Sequence, residues 1–331
     1  MRLSTLLLLL PVLLALGGCG KPDAATAAAE SGKIKVRLQT DWFPQPEHGG
    51  YYQALAKGFY ADEGLDVQIL PGGPNVQVMA SVATRRFEFG MTNGDDVIVA
   101  VGRGVPIKMI AAEMQRDAQG ILFHAENPLR ELRDLDGKTI MAGAGSIWLQ
   151  MAQKKLGIRF NVQPLVGDLA RFMNDRKFIQ QCFVTNEPFF VRLRGAEAGA
   201  LLIAQKGGYE PYRVVFTSDS YLAENPEVVR KFVRATLRGW NDYLTGDPAP
   251  ANALLKKLRP DLPDDFFGYS IKAMKDYQLV LGDPARGEKM GQLTAARLDH
   301  QIGLLAELGF LERKVGVADV ATFEMLPVEA K

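Results

Sequence analysis

The sequence predicts an α/β protein of two lobes, joined by two chain crossings and completed by a helical C-terminal region. Three observations predict it. Strand-like and helix-like stretches alternate from Lys33 onward, the alternation resets near Arg116–Gly120, and beyond Ser218 the pattern is almost wholly helical. A βαβαβ series of this kind favours a mostly parallel sheet with helices on both faces.

The elements follow in order. KIKVRLQT (33–40) alternates apolar and polar residues and reads as a strand. YYQALAKGFYADEG (51–64) reads as a helix stopped by glycine. LDVQIL (65–70) is a second strand, NVQVMASVATRR (75–86) a helix and FEFGMTN (87–93) a third strand. GDDVIVAVGRG (94–104) is a helix ended by glycine, and PIKMIAAEMQ (106–115) a fourth strand. After the reset, GILFHA (120–125) is a strand and LRELRDLDGKTIMAG (129–143) a turn plus a strand. SIWLQMAQKKLGI (146–158) is an amphipathic helix ending at Gly157, VGDLARFMND (166–175) a short helix and QQCFVT (180–185) a strand. NEPFFVRLRGA (186–196) is a helix and ALLIAQ (200–205) a strand. YRVVFTS (212–218) returns as a strand to the first lobe, and helices follow within 225–244, 263–278 and 290–310. The expected boundaries are residues 33–115 plus 206–331 for lobe 1 and 116–205 for lobe 2. The hinge is expected near Arg116–Ala118 and Gln205–Tyr212.

The N-terminus is read apart from the fold. Arg2 precedes the apolar run LSTLLLLLPVLLALGG, the pattern of an export signal over residues 1–18 and too short for a permanent span. Leu16-Gly17-Gly18-Cys19 resembles a bacterial lipobox, which implies lipid on Cys19 and membrane attachment through it. KPDAATAAAESG (21–32) reads as a flexible tether, so residues 19–32 form the lipidated cysteine and its linker. With Cys19 so used, Cys182 has no disulfide partner and is expected to be a buried, inert thiol.

Composition excludes two classes of partner. The 331 residues carry a net charge of +1, with Lys and Arg spread along the chain. A nucleic-acid groove or a polybasic membrane surface needs clustered cations. Ligands of parallel sheets bind outside the carboxyl ends of strands, which directs attention to residues 40–50, 71–75, 92–96, 115–119, 142–148 and 185–188.

At the first of these loops the residues become specific. Trp42, Pro44, His48, Gly50 and Tyr52 spell W-x-P-x-x-x-H-x-G-x-Y, followed by KGFYADEGLDV. With GVPIKMIA, QRDAQGILFH, LRDLDGKTI, QCFVTNEPF and ENPEVVRKFVRATLRGW, this resembles the thiamine-pyrimidine-precursor family of ABC-importer solute-binding proteins. The resemblance covers about residues 34 to 310. It implies the type II periplasmic-binding-protein fold, a small-molecule ligand, an extracytoplasmic location, a permease and an ATPase as partners, and a monomer. Relatives bind riboflavin, alkanesulfonates, taurine or nitrate, so those ligands, and aromatic carboxylates, stand as alternatives to a pyrimidine.

The candidate ligand-binding residues are Trp42, His48, Tyr52, Asn93, Ser146, Trp148 and Glu187. Trp42 offers a flat, rigid ring for stacking, and Trp148 a second aromatic wall. Adjacent helical residues point apart, so at most one of Tyr51 and Tyr52 faces the opening; Tyr52 is the one in the motif. His48 can donate from one ring nitrogen and accept at the other. Asp41 braces the loop or touches ligand, and Asn93 caps a helix or contacts ligand. Ser146 sits in a Gly-rich turn whose N–H groups suit an anion or a polar ring edge. In pyrimidine-binding relatives a Glu in the region of Glu187 resembles an acceptor for the ligand amine. Arg171, Arg192 and Arg194 read as solvated helix charges, and the shortage of cleft arginines argues against a strongly anionic ligand.

No cofactor, metal site or catalytic residue is expected. G-x-S-x-G, C-x-x-C, H-E-x-x-H and Walker A are absent, and His48, His124 and His300 lack metal-ligand spacing. Fungal pyrimidine synthases resemble this fold, but carry a clustered-cysteine motif that this chain lacks.

Overall fold

The structure is a computed structural model that describes residues 32–74, 76–143, 145–166, 168–204 and 206–326. The expected leader, Cys19 and the tether up to Ser31 lie outside the described residues, as does Gln205. The chain from Ile34 onward forms one compact unit.

The strands are β1 (Ile34–Gln39), β2 (Leu65–Leu70), β3 (Phe89–Asn93), β4 (Ile107–Met114), β5 (Gln119–His124), β6 (Thr139–Ala142), β7 (Asn161–Pro164), β8 (Ile179–Phe183), β9 (Ala198–Leu202) and β10 (Arg213–Ser218). They make two five-stranded sheets, ordered β2-β1-β3-β10-β4 and β7-β6-β8-β5-β9. This is the architecture of the type II fold.

Each sheet is mixed: four strands run the same way, as expected, and one runs against both of its neighbours. β10 runs antiparallel to both β3 and β4, and β5 runs antiparallel to both β8 and β9. The reason is the crossings. β4 leaves the first sheet at its carboxyl end, so β5 enters the second sheet from the facing end and runs away from it. β9 and β10 repeat the manoeuvre in reverse. The amino ends of β5 and β10 therefore meet the same opening as the carboxyl ends of β1, β3, β4 and β8.

The stretch 51–64 is two helices, Gly49–Ala56 and Phe59–Asp62, divided at Gly58, whose φ of 74° no branched residue adopts easily. β7 was not read from sequence because it is an edge strand of four mostly exposed residues, with no alternation to detect. A helix at Ala249–Leu258 was also unassigned.

The long helix Pro226–Thr245 buries Val229, Phe232, Val233, Trp240 and Leu244, an apolar stripe at three- and four-residue spacing. It crosses Gly49–Ala56 at very short range. A Cβ on Gly50 would lie 2.2 Å from the Trp240 ring, and a Cβ on Gly239 would lie 2.2 Å from the Gly50 carbonyl oxygen. The motif glycine thus serves helix crossing. Helix Asp264–Asp276 reaches toward the second sheet, where Phe266 packs on Phe189 and Phe190 at 5.3 and 5.1 Å between ring centroids. Cys182 is free and buried, and its surroundings push the thiol pKa up.

Candidate functional site

The loop after β1 is pinned before it reaches the opening. Thr40 N donates to Leu70 O at 3.0 Å, Thr40 Oγ1 to Trp42 O at 3.0 Å, and Gly72 N to Trp42 O at 3.0 Å. With its backbone so held, the loop stands Trp42 and Phe43 at the rim, 43% and 42% exposed, edge to face at 5.5 Å.

Behind Trp42 lies a cavity of about 60 Å³, lined by Asp41, Trp42, Gln45, Glu47, His48, Met114, Phe183 and Arg213. Phe183 ends β8 of the second sheet, while Met114 and Arg213 belong to β4 and β10 of the first. The cavity therefore lies between the two sheets. Polar contacts close over it: Thr185 Oγ1 donates to the Glu47 carboxylate, and Asn186 Nδ2 donates to Gln45 Oε1 at 3.2 Å.

Arg213 is the electrostatic centre. Its Nη1 donates to Asn93 Oδ1 at 2.9 Å and its Nη2 to Asp41 Oδ2 at 2.5 Å. Asp117 Oδ1 lies 3.8 Å from Nη1, and the guanidinium sits 5.6 Å above the Phe183 ring. Burial works against the charge on Asp41, but Arg213 and His48 hold its carboxyl at about 2. Other carboxyls near the cavity move upward. Burial takes Glu113 to about 8, Asp117 to about 6 and Glu187 to about 7. Glu113 occupies a register shift between β4 and β10, an irregularity that lets a carboxyl sit inside the sheet layer, near Tyr51.

Three buried polar atoms among the cavity-lining residues have no hydrogen-bond partner: Asp41 Oδ1, Glu47 Oε2 and His48 Nδ1. Two are carboxyl oxygens: Asp41 is held ionised and only accepts, whereas burial raises the Glu47 pKa. The cavity therefore offers acceptors in excess and suits a guest that donates N–H groups.

The candidates separate on this geometry. Trp42 and His48 line the cavity, with His48 Nε2 3.7 Å from Asp41 Oδ1. Asn93 reaches it through Arg213. Glu187 follows the cavity-lining Phe183 and accepts its backbone N–H at 2.7 Å, fastening the end of β8. Ser146 makes no helix cap; its hydroxyl donates to Gln181 Oε1 at 3.3 Å. Tyr52 does not face the cavity. It is buried and lines a separate groove with Val67, Ile69 and Leu254. Trp148 is fully buried, stacked at 6.4 Å on Phe160 within the apolar core, and forms no cleft wall.

Arg213 and Asp117 were missed: Arg213 stands at the amino end of its strand, outside the carboxyl-end loops, and Asp117 lies within the 115–119 loop but carries no local motif that marks it. The signal was present: an Arg opening the apolar strand RVVFTS is hard to explain unless it is paired. The argument from scarce cleft arginines is corrected accordingly, though Asp41 and Asn93 already occupy this guanidinium.

The raised carboxyls predict the pH dependence. Glu113 ionises near 4.5 when unfolded and near 8 when folded, so its contribution is complete below about 4.5 and is lost as pH rises toward 8. Asp117 and Glu187 act in the same direction. The protein should melt higher at pH 5.5 than at pH 8, and Glu113→Gln should flatten that slope. A slope equal to that of the parent would remove Glu113 as its source.

Comparison with known proteins adds relatives to this geometry. A family model described as NMT1/THI5 like matches residues 45–251. The riboflavin-binding protein RibY of Chloroflexus aurantiacus is 28% identical over 84% of this chain and 80% of its own. The formylaminopyrimidine-binding protein of Halalkalibacterium halodurans is 24% identical over 77% and 79%. A 4-amino-5-hydroxymethyl-2-methylpyrimidine phosphate synthase of Aspergillus parasiticus is 24% identical over 68% and 71%. The alkanesulfonate-binding protein SsuA of Xanthomonas axonopodis, solved with MOPS, aligns with a TM-score of 0.63 at 15% identity over 87% of this chain and 98% of its own, which shows the fold alone.

Proposed function

This chain belongs to the NMT1/THI5-like family, and we propose that it is an extracytoplasmic solute-binding protein of an ABC importer. Its preferred ligand in this reading is a small planar nitrogen heterocycle, a thiamine-related pyrimidine above others. One observation carries the choice of ligand. The cavity between the sheets presents the unpaired Asp41 Oδ1, Glu47 Oε2 and His48 Nδ1 beside the exposed indole of Trp42. An amino-pyrimidine supplies N–H donors to those atoms and a flat face to the indole. A sulfonate or nitrate would meet two carboxylates beside an arginine already engaged by Asp41 and Asn93.

Closure follows from the same contacts. The Glu47–Thr185 and Gln45–Asn186 bonds join the two sheets and exist only when the lobes meet. A solute that touches both sides favours the closed form by its differential affinity. The hinge in this reading lies in the crossings near 116–118 and 206–212. Lipid on Cys19 would hold the protein at the membrane, a part of the reading that a mature-chain mass lacking diacylglycerol would refute. The chain is read as a binder because it lacks the clustered cysteines of the synthases, carrying only Cys19 and Cys182.

A thermal-shift screen with a formylaminopyrimidine, riboflavin, an alkanesulfonate and nitrate tests the reading, because a specific ligand raises the melting temperature by mass action. The pyrimidine is expected to give the largest shift; a response to sulfonate or nitrate alone would overturn it. In calorimetry, Trp42→Ala should weaken pyrimidine binding about tenfold, roughly 1.4 kcal/mol, with little change in melting temperature. An unchanged Kd would take Trp42 out of the site.

A further inference from the structure

We propose that Arg297 is the positioning residue of the hinge: one guanidinium grips both chain crossings and so sets the angle between the lobes. Arg297 lies in the first turn of helix Ala295–Glu307, whose N-cap Thr294 accepts from Arg297 N at 3.4 Å. Its Nη2 donates to Gln115 O at 2.5 Å, on the first crossing. Its Nε donates to Glu210 O at 2.8 Å, and Nη2 also to Pro211 O at 3.3 Å, on the second. The guanidinium carbon lies 3.7 Å from the centre of the Tyr212 ring.

The two crossings touch at that place. Asp117 N donates to Pro211 O at 3.3 Å, so the strands of chain between the lobes run side by side under the same side chain. Lobe rotation must change backbone angles in both crossings. Any such change moves the Gln115, Glu210 and Pro211 carbonyls relative to one another. A planar guanidinium with donors in fixed directions can satisfy all three in one arrangement only, whereas an ammonium is a single rotatable point. Opening therefore breaks or bends bonds that closure makes. Helix Ala295–Glu307, which contributes nothing to the cavity lining, thereby holds a vote in closure.

Neighbouring contacts support the same anchor. Gln115 N and Arg116 N donate to Leu279 O at 2.6 and 3.2 Å, and Arg116 Nη2 donates to Glu288 Oε2 at 2.8 Å. These tie the first crossing to the C-terminal segment. Arg297 adds the second crossing to that tie.

The inference rests on the reading of a two-lobed protein that opens and closes, but its test needs no solute. Small-angle X-ray scattering of the purified protein, without added ligand, would compare the parent with Arg297→Met and Arg297→Lys. Methionine keeps an apolar stem over Tyr212 and removes the bonds. The expected result is a larger radius of gyration for Arg297→Met, a partial return in Arg297→Lys, and unchanged near-ultraviolet circular dichroism in both. A purely structural role would lower the melting temperature and leave the scattering of the folded protein unchanged; superimposable curves would overturn the proposal. If Arg297→Met does not fold, Arg297→Lys decides on the same measurement. Any solute that requires the closed form should bind the variant with Kd raised in inverse proportion to the closed fraction that remains, twofold if that fraction halves. A failed ligand screen would leave the scattering result standing, so the two readings fail separately.

Discussion

Replacement of Arg213 by methionine is expected to cost the fold about 3–5 kcal/mol, the usual penalty for removing one partner from a buried ionic group. The guanidinium is 4% exposed and bonded to Asp41 and Asn93, with Asp117 at 3.8 Å. Methionine fills the space but leaves Asp41 and the buried Asp117 without the cation they share. The pH dependence gives the sign. Asp41 ionises near 2 in the folded parent and near 3.8 when unfolded, so its contribution is present above about 4 and is lost as pH falls through 2. Without Arg213 that hold is gone, and the deficit relative to the parent should be largest near pH 7 and shrink toward pH 4. Asp41→Asn in the same chain should recover part of the loss, because the pair shares one interaction. Urea unfolding at pH 7 measures all three proteins. A loss below about 1 kcal/mol would mean that water screens the group and that the network does not anchor the fold.

Gly50→Ala is the second large effect, and it links packing to binding. The added methyl would sit 2.2 Å from the Trp240 ring, closer than carbon atoms approach. Helix Gly49–Ala56 must then move away from helix Pro226–Thr245, at a cost of about 1–3 kcal/mol for overpacking. The displacement starts two residues from His48, so pyrimidine affinity should fall together with the melting temperature. Gly268→Ala is the control. Gly268 lies within a helix with nothing inside 4 Å of an added Cβ, and the change should be neutral or stabilising by up to about 1 kcal/mol. Equal melting temperatures for Gly50→Ala and the parent would show that the helices have room to spare.

The two effects explain why the motif around Trp42 reads so strongly in the sequence. Its residues answer to different demands. Trp42 and His48 line the cavity, Gly50 lets two helices cross, and Tyr52 lines a separate groove. The reason for each residue's type differs from position to position. Trp148 shows the complementary error. An aromatic one turn from a Gly-rich loop suggested a wall of the opening, but the face of its helix that turns inward is fixed by Phe160 and the core beneath.

The sequence by itself determined the α/β alternation, the reset between the two sheets, the returning strand at 212–218 and the helical end, because periodicity and glycine punctuation are local properties. It also located the first loop, where Trp42 and His48 stand close together in the chain. Tertiary structure alone decided the antiparallel entry of β5 and β10, and with it the position of Arg213. That residue is 172 positions from Asp41 and 120 from Asn93, yet bonded to both. Pairings of that kind depend on which strand ends share an opening. The same holds for Arg297, whose two targets meet only because both crossings pass the same point in space.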